Sequence, residues 1–340
     1  AHKNTISNDI LTLTIDPDSG AVKSIKHKNI QNDLVDTSNS AGVNDYLYIL
    51  GRDPQENRSS ITGPVEITIE DEGPLVVTAS IKSKAPGCKS LTRKIRLIDS
   101  FDHIEITNIV DKLRVTEPEG VYFEYPLNIP GGKTHIDIPW AITQPEKDQI
   151  KGANRNFYCV QRWIDISNNN YGLTWVTVDA PILQFKPIKI APAHGLEQFR
   201  KKIDPSQSFY SWVMNNHWET NYAAYQKGKC RFKYVLKPHP NKYDPVEAQQ
   251  LARSVCQPLI VVNSSSEKPV PQSPVKINNE AVIVTSLEPS RDNKALMLRL
   301  FNTSDQPQLP KVNWLKKPQN VWLSNPLQQK LQKYKPAKMS

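Results

Sequence analysis

The stretch Ser211 to Tyr225, SWVMNNHWETNYAAY, concentrates the side chains best suited to holding a polar ligand. It contains Trp212, Trp218, Tyr222, Tyr225, His217, Glu219 and the amides Asn215, Asn216 and Asn221. Flat aromatic faces stack on the apolar faces of sugar rings, and an amide offers a donor and an acceptor to neighbouring hydroxyls. This mixture suits a carbohydrate better than a phosphate or a lipid. His217 with Glu219 or Glu197 adds acid–base capacity, because HWE puts its two ends on one face of an extended strand. The same composition also describes a strand–loop junction, with Trp and Tyr in the core and Asn in turns.

Other chemistries have no local signature. The seven histidines are His2, His27, His103, His135, His194, His217 and His239, and no two stand at HxH, HxxxH or HExxH spacing. Cys88, Cys159, Cys230 and Cys256 are far apart, with no CxxC, and read as free thiols. There is no GxSxG elbow, P-loop or GxGxxG. The net charge of +9 comes largely from lysines spread along the tail without an arginine cluster, so nucleic acid is not an expected partner. No apolar run approaches the ~20 residues that span a membrane. The polar opening AHKNTISND shows no signal peptide, which leaves secretion open, and a periplasmic or extracellular location is favoured.

The elements that would position the candidate site are strands. Asn8–Ile15 alternates, DPDSG at 16–20 is a turn, and Ala21–His27 alternates again, which makes a hairpin. Asn44–Gly51, NDYLYILG, puts Tyr46 and Tyr48 on one face of a strand and Leu47 and Ile49 on the other. Further alternating runs recur every 10 to 20 residues as far as Leu236, with 27 Pro and no long amphipathic helix among them. That spacing predicts a large antiparallel sandwich rather than a βαβ fold. Pro139–Gly152 reads as a loop. Arg162, Asp165 and Asp179 could make a charged cluster at sheet ends, but surface or strand-pairing charge is the favoured reading. Phe209–Met214 and Arg231–Leu236 flank the aromatic stretch, which makes it a loop at a sheet rim. Asp244–Cys256 is the one credible helix, with an Asp cap and Pro in its first turn. Residues 257–274, rich in Ser and Pro, read as a linker.

Several of these segments resemble the C-terminal β half of glycoside hydrolase family 38, the α-mannosidases, in its bacterial branch. The resemblance lies in the D-P-x-x-G turn followed by K-S-I, in VQRW-D-IS-x-x-x-YG-x-T with DAPILQ after it, in MNN-W-x-TN, and in the strands VIVTSL and LRLFN. It implies an all-β fold: a large, mutarotase-like antiparallel β-supersandwich over 1–256, the linker 257–274, and a small C-terminal β-sandwich over 275–340. The final twenty residues match poorly, so the small domain is expected to be short of a strand.

By the same resemblance, Tyr46, Asn215, Asn216, Trp218 and Asn221 are the candidate mannoside contacts, and no catalytic residue or metal ligand is assigned. Zinc is expected only in an N-terminal catalytic barrel, the expected partner besides the carbohydrate itself. The chain reads as a fragment or a stand-alone homologue of the β half. Retaining hydrolysis needs two carboxylates about 5–5.5 Å apart. None is recognised here, so the chain alone is expected not to hydrolyse a mannoside. An apolar or aromatic face that the barrel would cover is expected near Tyr46, Trp212 and Trp218. Two other function classes fit the same residues: a stand-alone carbohydrate-binding module, and a mutarotase-like sugar epimerase.

Overall fold

The computed structural model describes residues 4–38, 41–190, 199–203, 207–217, 223–263 and 272–334. The chain divides into two compact units, one of residues 1–244 with 251–258 and one of 245–250 with 259–340. The fold is all-β, with a single helix among the described residues.

The first unit opens with β1 (Thr5–Ser7), β2 (Leu11–Ile15) and β3 (Val22–His27), which form a three-stranded sheet. Then come β4 (Asp45–Leu50), β5 (Arg58–Ser60), β6 (Glu66–Glu72), β7 (Val76–Ser83), β8 (Cys88–Ile98) and β9 (Ile104–Lys112). The central strand β10 (Glu119–Pro126) is followed by β11 (Lys133–Ile138), β12 (Ala141–Thr143), β13 (Tyr158–Cys159) and β14 (Trp163–Ser167). The unit continues with β15 (Gly172–Thr177), β16 (Ile182–Phe185), β17 (Ser208–Asn215) and β18 (Gly228–His239). Two antiparallel sheets result: one of six strands, ordered β13-β16-β17-β10-β4-β5, and one of nine, ordered β12-β11-β14-β15-β18-β9-β8-β7-β6.

The main core lies between these sheets. Tyr125 of β10 meets Trp175 and Tyr234 edge-on, and the Ser211 and Tyr234 hydroxyls pair at 2.9 Å. Alternation decides the rest. Tyr46 and Tyr48 join this core, whereas Leu47 and Ile49 point to a second, smaller cluster with Tyr122, Tyr210, Trp212 and Ile188 on the opposite face. Every residue of β10 is therefore buried. The exposed edge strand β6, EITIEDE, carries acidic side chains and a register shift between Ile69 and Asp71, both of which discourage pairing with another chain.

Helix α1 (Pro245–Cys256) begins directly after Asp244, with Pro245 in the first helical position where a missing N–H costs nothing. The second unit is built on three two-stranded pairs: β19 (Val275–Ile277) with β22 (Val312–Trp314), β20 (Val282–Pro289) with β21 (Leu296–Asn302), and β23 (Val321–Ser324) with β24 (Lys330–Tyr334). Two sequence expectations need correction. The segment read as a loop at 139–152 holds β12, which pairs with β11 through Ile138↔Ala141. The poorly matching tail forms the β23–β24 hairpin, with Trp322 beneath Lys330 and Lys333 at 5.2 and 5.8 Å. Alternation there is masked by lysines, whose aliphatic stems cover apolar surface while their charges stay in water.

Candidate functional site

Strand β17 runs antiparallel to β10 and carries the candidate loop at its end. The pairing is regular from Pro126↔Ser208 to Tyr122↔Trp212, then slips, so that Val121 faces Met214 and Gly120 faces Asn215. The slip keeps Trp212 opposite Tyr122, and their rings stack at 5.6 Å with 8° between planes. Phe157 meets Trp212 edge-on at 6.0 Å.

Asn216 closes this corner. Its backbone N–H donates to the Glu119 carbonyl at 3.1 Å, and its Oδ1 accepts from the Glu119 N–H at 2.5 Å. Its Nδ2 donates to the carbonyls of Glu117 at 2.9 Å, Ala224 at 2.8 Å and Val115 at 3.4 Å. One amide thus ties the start of the loop after β17 to the chain that returns from it and to the segment before β10. Arg114 adds a cation over the Tyr225 ring at 4.5 Å.

Beneath the corner lies a buried polar network. Glu119 accepts from Lys112 Nζ and from the Tyr48 hydroxyl, each at 2.7 Å. Lys112 is 1% exposed and sits 5.8 Å from the Tyr48 ring centre. The Tyr46 hydroxyl donates to the Pro86 carbonyl at 2.6 Å and lies 3.2 Å from Cys88 Sγ. Burial pushes both phenols well above their ordinary range, the Glu119 charge adding to the rise at Tyr48.

The expected site residues separate accordingly. Asn215 stands half-buried at the end of β17, and Asn216 is the clamp just described. Tyr46 is fully buried in the main core. Trp218 and Asn221 lie outside the described residues, as do Glu197 and Glu219, the acid–base partners considered for His217. The exposed aromatic face expected around Tyr46 and Trp212 is not present at those two residues. Tyr46 points between the sheets, and Trp212 is 4% exposed under Phe157 and its neighbours.

Asp165 and Asp179 have separate partners, in line with the favoured reading of them as ordinary strand charges rather than one cluster with Arg162. Asp165 is buried and accepts from Ser167 Oγ at 2.7 Å and Thr174 Oγ1 at 2.7 Å, with His239 Nε2 at 3.0 Å. Asp179 instead accepts from the Lys233 N–H at 2.9 Å. Sequence reasoning missed Lys112, Glu119 and His239, because each sits in an ordinary strand context; Lys112 and Glu119 are seven residues apart at the facing ends of β9 and β10, and His239 meets Asp165 across 74 residues of chain. Among the described residues no group of three or more His, Cys, Asp or Glu side chains is placed to hold a metal ion. No helix among the described residues is long and apolar enough to cross a membrane.

Residues 6–180 match the family model for the glycosyl hydrolases family 38 C-terminal domain, and residues 281–339 match that for the glycosyl hydrolases family 38 C-terminal beta sandwich domain. The chain is similar in structure to a protein in glycosyl hydrolase family 38 from Enterococcus faecalis, with TM-score 0.73 and 13% identity over 97% of this chain and 41% of that one. It is also similar to an alpha-mannosidase from Enterococcus faecalis V583, with TM-score 0.74 and 13% identity over 97% of this chain and 40% of that one. The chain thus spans about two fifths of the length of these two structures. No curated protein sequence matches it. With residues 6–180 and 281–339 both matched, the chain belongs to glycosyl hydrolase family 38 and carries that family's C-terminal region.

Proposed function

We propose that this region is the non-catalytic β half of an α-mannosidase-like glycoside hydrolase. In this reading it braces a zinc-dependent catalytic barrel outside these residues and lends the loop after β17 to the mannoside site. The observation that carries the reading is the share of length. The fold aligns over 97% of this chain yet covers only 40% of the alpha-mannosidase it is similar to, which leaves that protein room for a separate catalytic domain. The Asn216 clamp supports the role given to the loop, because a ligand-binding loop needs both ends held on a rigid sheet. Asn215, Trp218 and Asn221 are then the contacting side chains, and Asn216 holds the start of the loop to the chain that returns from it.

The test uses Trp218→Ala in a polypeptide that joins this region to its catalytic domain. Loss of one aromatic face against a sugar contributes ~1–2 kcal/mol, so kcat/KM for an aryl α-mannoside should fall about tenfold with the melting temperature unchanged. Unchanged kinetics beside a large drop in melting temperature would return Trp218 to the core and remove the loop from the site. The 340-residue chain alone should show no turnover of the same substrate with zinc added. Zinc-dependent hydrolysis by that pure chain overturns the non-catalytic reading.

A further inference from the structure

The second unit holds a group of apolar side chains in water. In the β23–β24 hairpin Leu323 is 53% exposed, Leu327 62%, Leu331 66% and Trp322 41%. Leu327 lies in the turn, and Leu323 and Leu331 flank it. The turn is built by its own side chains. Asn325 Oδ1 accepts from the Leu327 and Gln329 N–H groups, each at 3.0 Å, and Asn325 Nδ2 donates to Gln329 Oε1 at 2.7 Å. Gln328 Oε1 accepts from the Arg291 N–H at 2.9 Å, which ties the tip to the turn between β20 and β21. Exposed apolar groups gathered on a fixed turn mark a contact surface.

Charge says what would cover it. From Gln306 to Ser340 the sequence has seven lysines and no Asp, Glu or Arg. Of these, Lys316, Lys317, Lys330 and Lys333 are exposed. Lys330 and Lys333 stand over the Trp322 ring, so cations and an aromatic share one face of the hairpin. The neighbouring turn sets Arg291 and Lys294 against Asp292, whose Oδ1 already accepts from Ser290 Oγ at 2.6 Å and the Lys294 N–H at 3.1 Å. A soluble polyanion would use the lysines and leave the leucines bare. A neutral apolar partner would use the leucines and bury the lysines at a cost. An anionic lipid surface uses both. Leucines enter the boundary between headgroups and acyl chains, Trp sits at headgroup level, and Lys stems lie along apolar surface while their ammonium groups reach the phosphates.

We propose that the β23–β24 hairpin docks tip-first on the surface of an anionic phospholipid bilayer, with Leu323, Leu327 and Leu331 inserted and Lys330 and Lys333 on the phosphates. The contact is peripheral and needs no spanning segment. It rests on the second unit alone and is independent of the carbohydrate reading. The test is co-sedimentation of the 340-residue chain with vesicles of phosphatidylcholine and phosphatidylglycerol in equal parts. The chain should bind these and not vesicles of phosphatidylcholine alone, and the binding should weaken as salt is raised. Lys330→Gln and Lys333→Gln should each weaken it about fivefold. Leu327→Ser should weaken it about three- to tenfold with the charge unchanged. These side chains are exposed, so the melting temperature should stay where it is. Leu331→Ser probes the same insertion should Leu327→Ser lower the melting temperature. No binding to the anionic vesicles overturns the proposal, and so does equal binding to both kinds of vesicle. Vesicle binding that neither leucine variant weakens, and that dextran sulfate competes away, assigns the lysines to a soluble polyanion and overturns it too. Binding that disappears when the chain is joined to its catalytic domain assigns the hairpin to a contact within the longer polypeptide and likewise overturns it.

Discussion

Lys112 and Glu119 show how a single buried pair can hold a corner. Their 2.7 Å contact lies inside the first unit, with Lys112 1% and Glu119 4% exposed. Removing one partner strands the other charge away from water. Lys112→Met should therefore destabilise by ~3–5 kcal/mol in urea unfolding. Adding Glu119→Gln should restore part of that loss, because no lone charge then remains. If the double variant is as unstable as the single one, the pair's charge is not what matters. This pair is not legible in the sequence, where Lys112 and Glu119 look like strand-end surface charges. Asn216 is a related case: its residue type suits a sugar contact, and its side-chain amide donates to three carbonyls from two separate segments.

At the scale of elements, the turn between β2 and β3 was legible and its tertiary role was not. DPDSG reads as a turn, and Asp16 does cap it, its Oδ1 accepting from the Asp18 N–H at 2.8 Å. Gly20 takes φ +72°, and a Cβ there would meet Arg93 Nη2 at 2.2 Å and Ile81 Cγ2 at 2.6 Å. Arg93, fully buried, donates to the Ser19 carbonyl at 2.5 Å and so holds the turn against β8. Gly20→Ala should cost ~2–4 kcal/mol, from the left-handed backbone plus overpacking onto a guanidinium that has no room to move. A loss well under 1 kcal/mol in denaturant unfolding would mean that the turn relaxes freely. The register slip in β17 is another element that only the structure supplies, since no residue type between Trp212 and Met214 marks it.

For the whole molecule, buried titrating groups set how stability varies with pH. Asp137 is 3% exposed, and burial raises it to about 7 against the opposing pull of Arg162. An unfolded aspartate loses its proton near the ordinary value of 3.8. Between those two values the folded state keeps a proton that the unfolded state releases, so raising the pH favours unfolding. Asp45, raised by burial to about 6, acts in the same direction. His217, lowered to about 4, acts oppositely: its neutral burial adds stability above about 6.5 that is lost as pH falls through 4. Asp137→Asn should therefore lose less stability than the parent between pH 4 and pH 7, measured by urea midpoints at several pH values. Parallel curves for the two proteins would show that Asp137 titrates normally in the fold.

Local sequence determined most of the strands, the turn chemistry, the one helix among the described residues with its Asp-Pro start, and through its motifs the family. These features depend on the period of apolar side chains and on backbone preferences that a few neighbouring residues settle among themselves. Alternation also determined that Tyr46 and Tyr48 share a face opposite Leu47 and Ile49. It could not say that both faces of β4 would be covered, because that depends on which strands and loops arrive from far along the chain. The same distance hides the Ser19 carbonyl that Arg93 meets, the His239 ring beside Asp165 and the Glu117 carbonyl at Asn216, each tens of residues away in sequence. Only the tertiary structure decided that Asn216 ties a loop in place and that Tyr46 is core. Each of these outcomes is a matter of long-range pairing, and a residue's type constrains what it can bond but not what will be brought to it.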